Sequence, residues 1–448
     1  MSAAPSARVV IVETVLSLPL VHIVVAGHGG ALLEPSAHAG LAVFHARMLR
    51  RGSGTFDAAS FEAELDRLGA ELWVDAQAST FALHATVLRR NLAPFVTLLK
   101  TLVASPRFDE AEIARLKREV DAARVEVLDS DDTLARLAFR RTMLAGHPYG
   151  RPLGGTQASI AGIDTGILHA HHERAFPREG MTFGFAGAVT REEAEAVAAD
   201  LDGAMPTSPT SPASKDLPSL AVTPVPSLSG RGLVLVDKPE RTQAHLLIGT
   251  RGTHPHDADH AALSVGVAIL GGTFTSRIVR EVRSKRGWSY STSARISVER
   301  IRTSLVLSAQ PGSADAGPCL ALMMSLLNEW VSKGITAREL SSMRKYLVRS
   351  SVFDRDTAQK RMQRAVEERV LELGVGYYDR WLESVGSVTL DEVNGAIAHR
   401  IDPSAIRVIS VCTASELREP LEKALPPEST TRVVPAEAIA HGALLDDA

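Results

Sequence analysis

A chain that repeats itself is held to folds that repeat, and this one carries the signs of a duplication. Residues 205–230 read MPTSPTSPASKDLPSLAVTPVPSLSG, dominated by proline, serine and threonine with no hydrophobic period. Proline removes backbone donors and keeps the chain extended, so the stretch reads as a linker dividing the 448 residues into halves of similar size. Each half opens on a short apolar run with the character of a buried strand, at residues 19–25 and 243–248. The histidines within them, His22 and His245, are separated by 245 − 22 = 223 positions. Further along, residues 108–113 and 335–340 each open a long helical pattern, with Glu112 and Glu339 separated by 339 − 112 = 227. Two pairs in the same order at nearly constant offset predict two copies of one domain.

The first half supplies the pattern of that domain. Residues 40–51 have helical spacing, and residues 57–68 form a second helix with Phe61, Leu65 and Leu68 on one face. Strands are expected at 72–74 and 80–87, and helices at 92–103 and 109–128. The last carries Ile113, Leu116, Val120 and Ala123 on one stripe. Asp109 suits its N-cap, and Glu110 and Glu112 suit the positive end of its dipole. Strands grouped with helices, without strict alternation, predict an α+β fold of two duplicated domains, each a mostly antiparallel sheet packed with helices. The linear boundaries are 8–204 and 231–425, with the linker at 205–230 and a tail at 426–448.

Composition excludes several classes. Lys and Arg number 49 against 52 Asp and Glu, a formal net charge of −3, which argues against a nucleic-acid binder. Only two cysteines occur, Cys319 and Cys412, too few for a disulfide framework or a cysteine zinc module. No apolar run reaches the ~18 residues of a membrane span. Residues 9–27 come nearest, but Glu13 and His22 interrupt them and no small-residue cleavage site follows, so they read as strands. A cytoplasmic location is expected, or a periplasmic one if a signal has been trimmed.

Three motifs in order tie the chain to a family. Glu34-Pro35 precedes Gly40-Leu41-Ala42-Val43-Phe44-His45-Ala46-Arg47-Met48-Leu49. His147-Pro148-Tyr149-Gly150-Arg151-Pro152 leads to Gly154-Gly155-Thr156. Leu270-Gly271-Gly272-Thr273-Phe274-Thr275-Ser276-Arg277 leads into Glu281-Val282-Arg283-Ser284-Lys285-Arg286-Gly287-Trp288-Ser289-Tyr290. Together they resemble the insulinase/pitrilysin-type metallopeptidases, in the branch of mitochondrial processing peptidase, over nearly the whole chain. The resemblance implies that the two domains form one half of a clamshell. It also implies a zinc site of the form H-x-x-E-H on one helix, whose histidines bind the metal while the glutamate activates its water.

The chain departs from that site at every position. The two histidines fall on Val43 and Arg47, and the catalytic glutamate on Ala46. The third ligand belongs roughly seventy-five residues further on. Counting 123 − 47 = 76 reaches Ala123. None of these side chains can bind zinc or act as base; Val43 and Ala46 are expected to pack, and Arg47 to pair with an acid. His45 lies one residue off a ligand position and reads as a core or capping histidine.

The other half of the family's site is kept. The resemblance gives an arginine and a tyrosine seven residues apart the task of meeting substrate, and these match Arg283 and Tyr290. A phenol can stabilise negative charge on a carbonyl oxygen, and a guanidinium can grip a neighbouring carbonyl. The plainer alternative has Arg283 on a solvated basic helix end beside Arg280, Lys285 and Arg286, and Tyr290 in the core of a strand. Two other clusters have a metal-like look. His256-Asp257-Ala258-Asp259-His260 reads best as a polar turn whose aspartate caps a helix. His169, His171, His172 and Glu173 fall on an expected helix over 165–175, where the C-terminal dipole favours histidine.

The expected function is therefore a non-catalytic subunit of a heteromeric zinc metalloendopeptidase, inactive alone. It would bind no cofactor itself; zinc would sit in a sibling subunit, and Arg283 and Tyr290 would complete that sibling's site for a peptide or unfolded polypeptide. The alternatives are an inert structural or peptide-binding protein of the same fold, and an enzyme with an unfamiliar site around His256 and His260. No nucleic acid and no membrane span are expected.

Overall fold

The computed structural model describes residues 8–178, 180–206 and 224–442, so most of the linker and the last residues of the tail lie outside the described residues. The first unit holds β1 (Val9–Thr14), β2 (Leu20–His28), β3 (Glu71–Ala76), β4 (Thr80–Leu88) and β5 (Thr182–Gly187). Their order in the sheet is β1-β5-β2-β4-β3, and the only parallel contact in it is β1 with β5. The second unit holds β6 (Gly232–Asp237), β7 (His245–Arg251), β8 (Ser293–Ile296), β9 (Ser304–Ala309), β10 (Arg407–Cys412) and β11 (Thr430–Pro435). Read from β6, its order is β6-β10-β7-β9-β8, with the parallel contact again at the first step. The two sheets share one topology, which is the duplication that the offsets predict.

β11 is an addition. It lies parallel to β6 on the outer side, so residues assigned by sequence to a tail complete the second sheet. Residues 9–27, expected as strands, hold β1 and most of β2, joined by a turn at 15–19.

Six helices matter for the site: α1 (Leu41–Met48), α2 (Ala58–Leu68), α3 (Glu110–Val127), α4 (Asp131–Met143), α5 (Thr165–Ala175) and α6 (Ala358–Val370). α2 starts where Asp57 accepts the Ser60 N–H (2.8 Å) and stops at Gly69, whose φ of 57° lies in the left-handed region. Phe61 and Leu65 of α2 pack with Phe44, Phe81, Leu83 and Leu116 in the first unit's core. β4 buries alternate residues, Phe81 through Val87, as a sheet with one covered face requires.

The linear cut between the halves does not match the packing. The first unit is made of the described residues of Met1–Ala122, Arg151–Thr223 and Val352–Tyr378; the second, of Ala123–Gly150, Pro224–Ser351 and Asp379–Ala448. α4 comes from the first half of the sequence, yet Leu134, Ala138 and Phe139 pack on Val236, Leu247 and Ile409 of the second sheet. α6 comes from the second half and lies on β1, β2 and β5 of the first. Glycines make room for both. A Cβ on Gly249 of β7 would stand 2.3 Å from the Phe139 ring, and one on Gly184 of β5 would stand 2.4 Å from the Met362 sulfur. The periodicity of a helix shows that it has a buried face; it does not say which sheet that face covers.

The duplication reaches side chains. Arg51 pairs with Glu112 (3.0 Å), and Arg277 pairs with Glu339 through both nitrogens at 2.7 Å. The arginines are 277 − 51 = 226 apart, matching the 227 between the glutamates. Among the described residues no helix is long and apolar enough to cross a membrane.

Candidate functional site

The first two motifs act together to seat α1. Glu34 is buried, and its carboxyl accepts the N–H groups of Gly40 (3.0 Å) and Ala42 (2.7 Å), two donors at the helix start that have no partner within the helix. Burial pushes this carboxyl up to about 7, against the pull of those two donors and of Arg151. Gly40 has a φ of 90°, and a Cβ there would lie 2.6 Å from the Gly155 nitrogen; one on Gly155 would lie 2.3 Å from the Ala39 oxygen. The glycines of the two motifs let two backbones cross at contact distance.

Of the positions aligned with the family's zinc motif, Val43, at a histidine position, is half-buried against the core, and Ala46, at that of the glutamate base, is buried. Arg47 stands exposed and pairs with Glu119 of α3 at 3.2 Å, the acid partner expected for it. The same carboxylate takes Arg51 at 2.6 Å and Arg115 at 3.3 Å. These guanidiniums, Arg51 first, hold the Glu119 carboxyl below its ordinary range. The count of 76 pointed to Ala123, which lies one turn further along α3 and is half-buried. The α3 residue that meets Arg47 is Glu119, at 119 − 47 = 72. The legible signal for it was the pair Glu112 and Glu119, seven residues apart on one helix face. Zinc does not fit this set: a permanently protonated guanidinium stands where a neutral imidazole is needed, and aliphatic groups stand at the other two positions.

Behind α1 lies a closed histidine cluster. His45 is fully buried, with Nε2 3.0 Å from Nδ1 of His172. Nε2 of His172 lies 2.8 Å from the Val103 carbonyl and must donate to it, so His172 Nδ1 accepts from His45. His171 meets His45 edge-on at 5.0 Å. Burial holds His45 far below its ordinary value, His172 down to about 4 and His171 down to about 3. The helix expected over 165–175 forms with those bounds. The dipole reading of its histidines is corrected: two of them are neutral core residues, because removal from water outweighs the helix-end field.

The His256–His260 stretch is likewise structural. The Asp257 carboxylate accepts the His254 N–H (3.0 Å) and meets Arg302 and Arg400 (3.0 and 3.2 Å). Asp259 stands at the helix start without capping it, because both its oxygens take Arg400 at 2.7 Å. His260 is buried against Thr253 (2.8 Å), and burial brings it down to about 4.

Arg283 and Tyr290 lie in the second unit and are brought together. Residues Val279–Ser284 form a wide helical turn. Arg280, Lys285 and Arg286 from this region all converge on Glu281 at 3.4, 2.7 and 3.0 Å, holding its carboxyl down to about 2, with Lys285 the largest cause. Arg283 is left out. Its guanidinium makes no ion pair or hydrogen bond with the described residues and stacks on the Tyr290 ring at 3.9 Å. Phe274 approaches from the other motif segment at 5.1 Å. Tyr290 is 78% exposed and Phe274 77%, so the strand-core reading of Tyr290 is wrong. Phe274 escaped the sequence reading because nothing in its spacing distinguishes it from a packed aromatic.

Comparison with known proteins agrees with the fold and with the family resemblance. The family model described as Insulinase (Peptidase family M16) matches residues 10–157, and that described as Peptidase M16 inactive domain matches residues 163–347. The chain belongs to the M16, or insulinase, peptidase family. It is 24% identical over 381 residues to a non-peptidase homologue, YmxG, of Helicobacter pylori, covering 85% of this chain and 86% of that protein. It is 26% identical over 384 residues to an uncharacterised zinc protease of Mycobacterium leprae, covering 83% and 82%. A solved M16 inactive domain from Pseudomonas fluorescens superposes with a TM-score of 0.80 at 22% identity, covering 92% of this chain and 97% of that one. The chain is thus an M16 peptidase homologue that lacks the family's ligands at the aligned zinc positions.

Proposed function

We propose that this chain is the non-catalytic subunit of a heteromeric zinc metalloendopeptidase and lends Arg283 and Tyr290 to the active site of a zinc-bearing sibling. The observation that carries the reading is the state of Arg283. Three neighbouring cations are engaged by the one carboxylate of Glu281, while Arg283 keeps its donors uncommitted and is held against an exposed tyrosine. A guanidinium with free donors beside a free phenol suits a substrate carbonyl and the oxyanion formed on its neighbour. In the sibling, zinc would polarise the scissile carbonyl; this chain would orient the peptide and stabilise the developing charge. The buried, unpaired thiols of Cys319 and Cys412 are in keeping with a cytoplasmic setting.

The test is co-expression with a zinc-bearing M16 sibling, followed by peptidase assays of the purified complex. Arg283→Ala combined with Tyr290→Phe should abolish most of the activity while the complex stays assembled. Unchanged activity in the double variant, or failure of any such sibling to co-purify, would favour the inert peptide-binding alternative.

A further inference from the structure

The emptied zinc region of the first unit is an open cleft of about 470 Å³, within the usual size of ligand sites. Its lining includes Arg47, Arg50, Arg51, Arg115 and the edge-strand residue Trp73. The carboxylates in reach are Glu62, Glu112 and Glu119, so four guanidiniums meet three carboxylates. The pairing is uneven. Arg50 is matched by Glu62 through two bonds (3.0 and 2.6 Å), and Arg51 spans Glu112 and Glu119. Arg47 has only a share of Glu119, at 3.2 Å, and Arg115 only shares of Glu119 at 3.3 Å and of Glu112 at 3.8 Å, while their side chains are 40% and 61% exposed. The site is therefore short of one negative charge, and the shortfall falls on two exposed arginines. Beside them Trp73 lies flat on His84 at 5.0 Å, and His84 is tied to Asp75 at 3.0 Å, so the ring is a braced apolar platform.

We propose that this cleft binds side-chain carboxylates of an acidic peptide segment, gripped by Arg47 and Arg115, with the aliphatic stems of the segment lying on Trp73. Guanidinium donors match a planar carboxylate in pairs. The lining glutamates, Glu62 and Glu112, disfavour the fixed, evenly spaced charge of a phosphodiester strand more than carboxylates on flexible side chains that can turn toward the arginines. The inference goes beyond the proposed function and does not depend on Arg283 or Tyr290, which belong to the other unit.

The probe is a fluorescent hexaglutamate peptide, acetylated and amidated so that only side chains carry charge, titrated by anisotropy against the full chain. Expected are saturable binding that weakens with salt, no binding of the matching hexaglutamine, and at least about a tenfold loss in R47A/R115A. R47K/R115K, which keeps the charge, should retain more of the affinity than the alanine pair. Arg136→Ala, an exposed arginine of the second unit, should leave the affinity unchanged and serves as the control for net charge. Equal binding of hexaglutamine, tighter binding of a thymidine hexanucleotide, or an R47A/R115A chain that is folded by circular dichroism and binds as well as the parent would each overturn the proposal.

Discussion

The two units share a sheet topology and treat their arginines in opposite ways. In the first, Arg47, Arg51 and Arg115 are drawn onto Glu119, and Arg51 also reaches Glu112, so guanidinium charge ties α1 to α3 where the family would place a metal. In the second, one carboxylate, Glu281, collects three neighbouring cations and leaves Arg283 free on an aromatic face. The same scaffold can thus hold a charge or release it, depending on where a few carboxylates stand. The positions aligned with the family's zinc helix and the Arg283–Tyr290 pair lie in different copies of the domain, so their surroundings differ independently.

The strongest way to break this contrast is kinetic. In a complex with a zinc-bearing sibling, Arg283→Ala with Tyr290→Phe should lower kcat by about 10² or more, the usual cost of removing a preorganised oxyanion donor. Tyr290 is exposed, and half-buried Arg283 makes ring contacts but no ion pair with the described residues, so the melting temperature of the chain should barely move. A large fall in melting temperature with activity intact would reverse the roles assigned to them.

Acid should separate the units next. His45, His171 and His172 are held neutral in the first unit, while the unfolded chain takes up protons near 6.5. Below that pH the unfolded state binds more protons than the folded one, so stability falls as pH drops from about 6.5 towards 4. The loss is about 3 kcal/mol for a single histidine brought down to about 4. The second unit has His260 at about 4 and His245 lowered by burial, but no cluster of three, so its strands should be less affected. Hydrogen exchange at pH 5 should open β2 and β4 before β7 and β10, and His171→Leu should flatten the difference. Equal exchange in both sheets would show that the cluster carries no such linkage.

Glycine contacts sharpen the picture of the exchanged helices. Gly249→Ala drives a methyl into a rigid phenyl ring and should cost about 2 kcal/mol, read as a shifted denaturation midpoint. Gly184→Ala meets Met362, whose flexible chain can give way, as well as Val366 at 2.7 Å, and should cost less. The reverse order would mean that α6 is held more rigidly than α4. Smallest is the arginine comparison on stability. Arg51→Ala leaves Glu112 and Glu119 without their shared, largely covered partner and should cost about 1–2 kcal/mol. Arg283→Ala removes only contacts with the exposed rings of Phe274 and Tyr290, worth about 0.5–1 kcal/mol. Denaturant titration of the two single variants compares them directly.

Much of this molecule was legible without coordinates. The offsets of 223 and 227 predicted the repeated sheet, and the capped, periodic segments placed α2 and α5 to within a residue. The motifs identified the family and aligned Val43 and Arg47 with its zinc histidines and Ala46 with its glutamate. These are local properties, because strand alternation, helix period and caps depend on neighbours within about a turn or two. What only the tertiary structure decided involves partners far apart in the chain: the exchange of α4 and α6 between sheets, Glu119 rather than Ala123 as the residue facing Arg47, the burial of His171 and His172 against His45, and Phe274 beside Arg283. Each depends on which surfaces meet across tens to hundreds of residues. A side chain's charge, ring or period says what it can bind, and packing alone determines what it does bind.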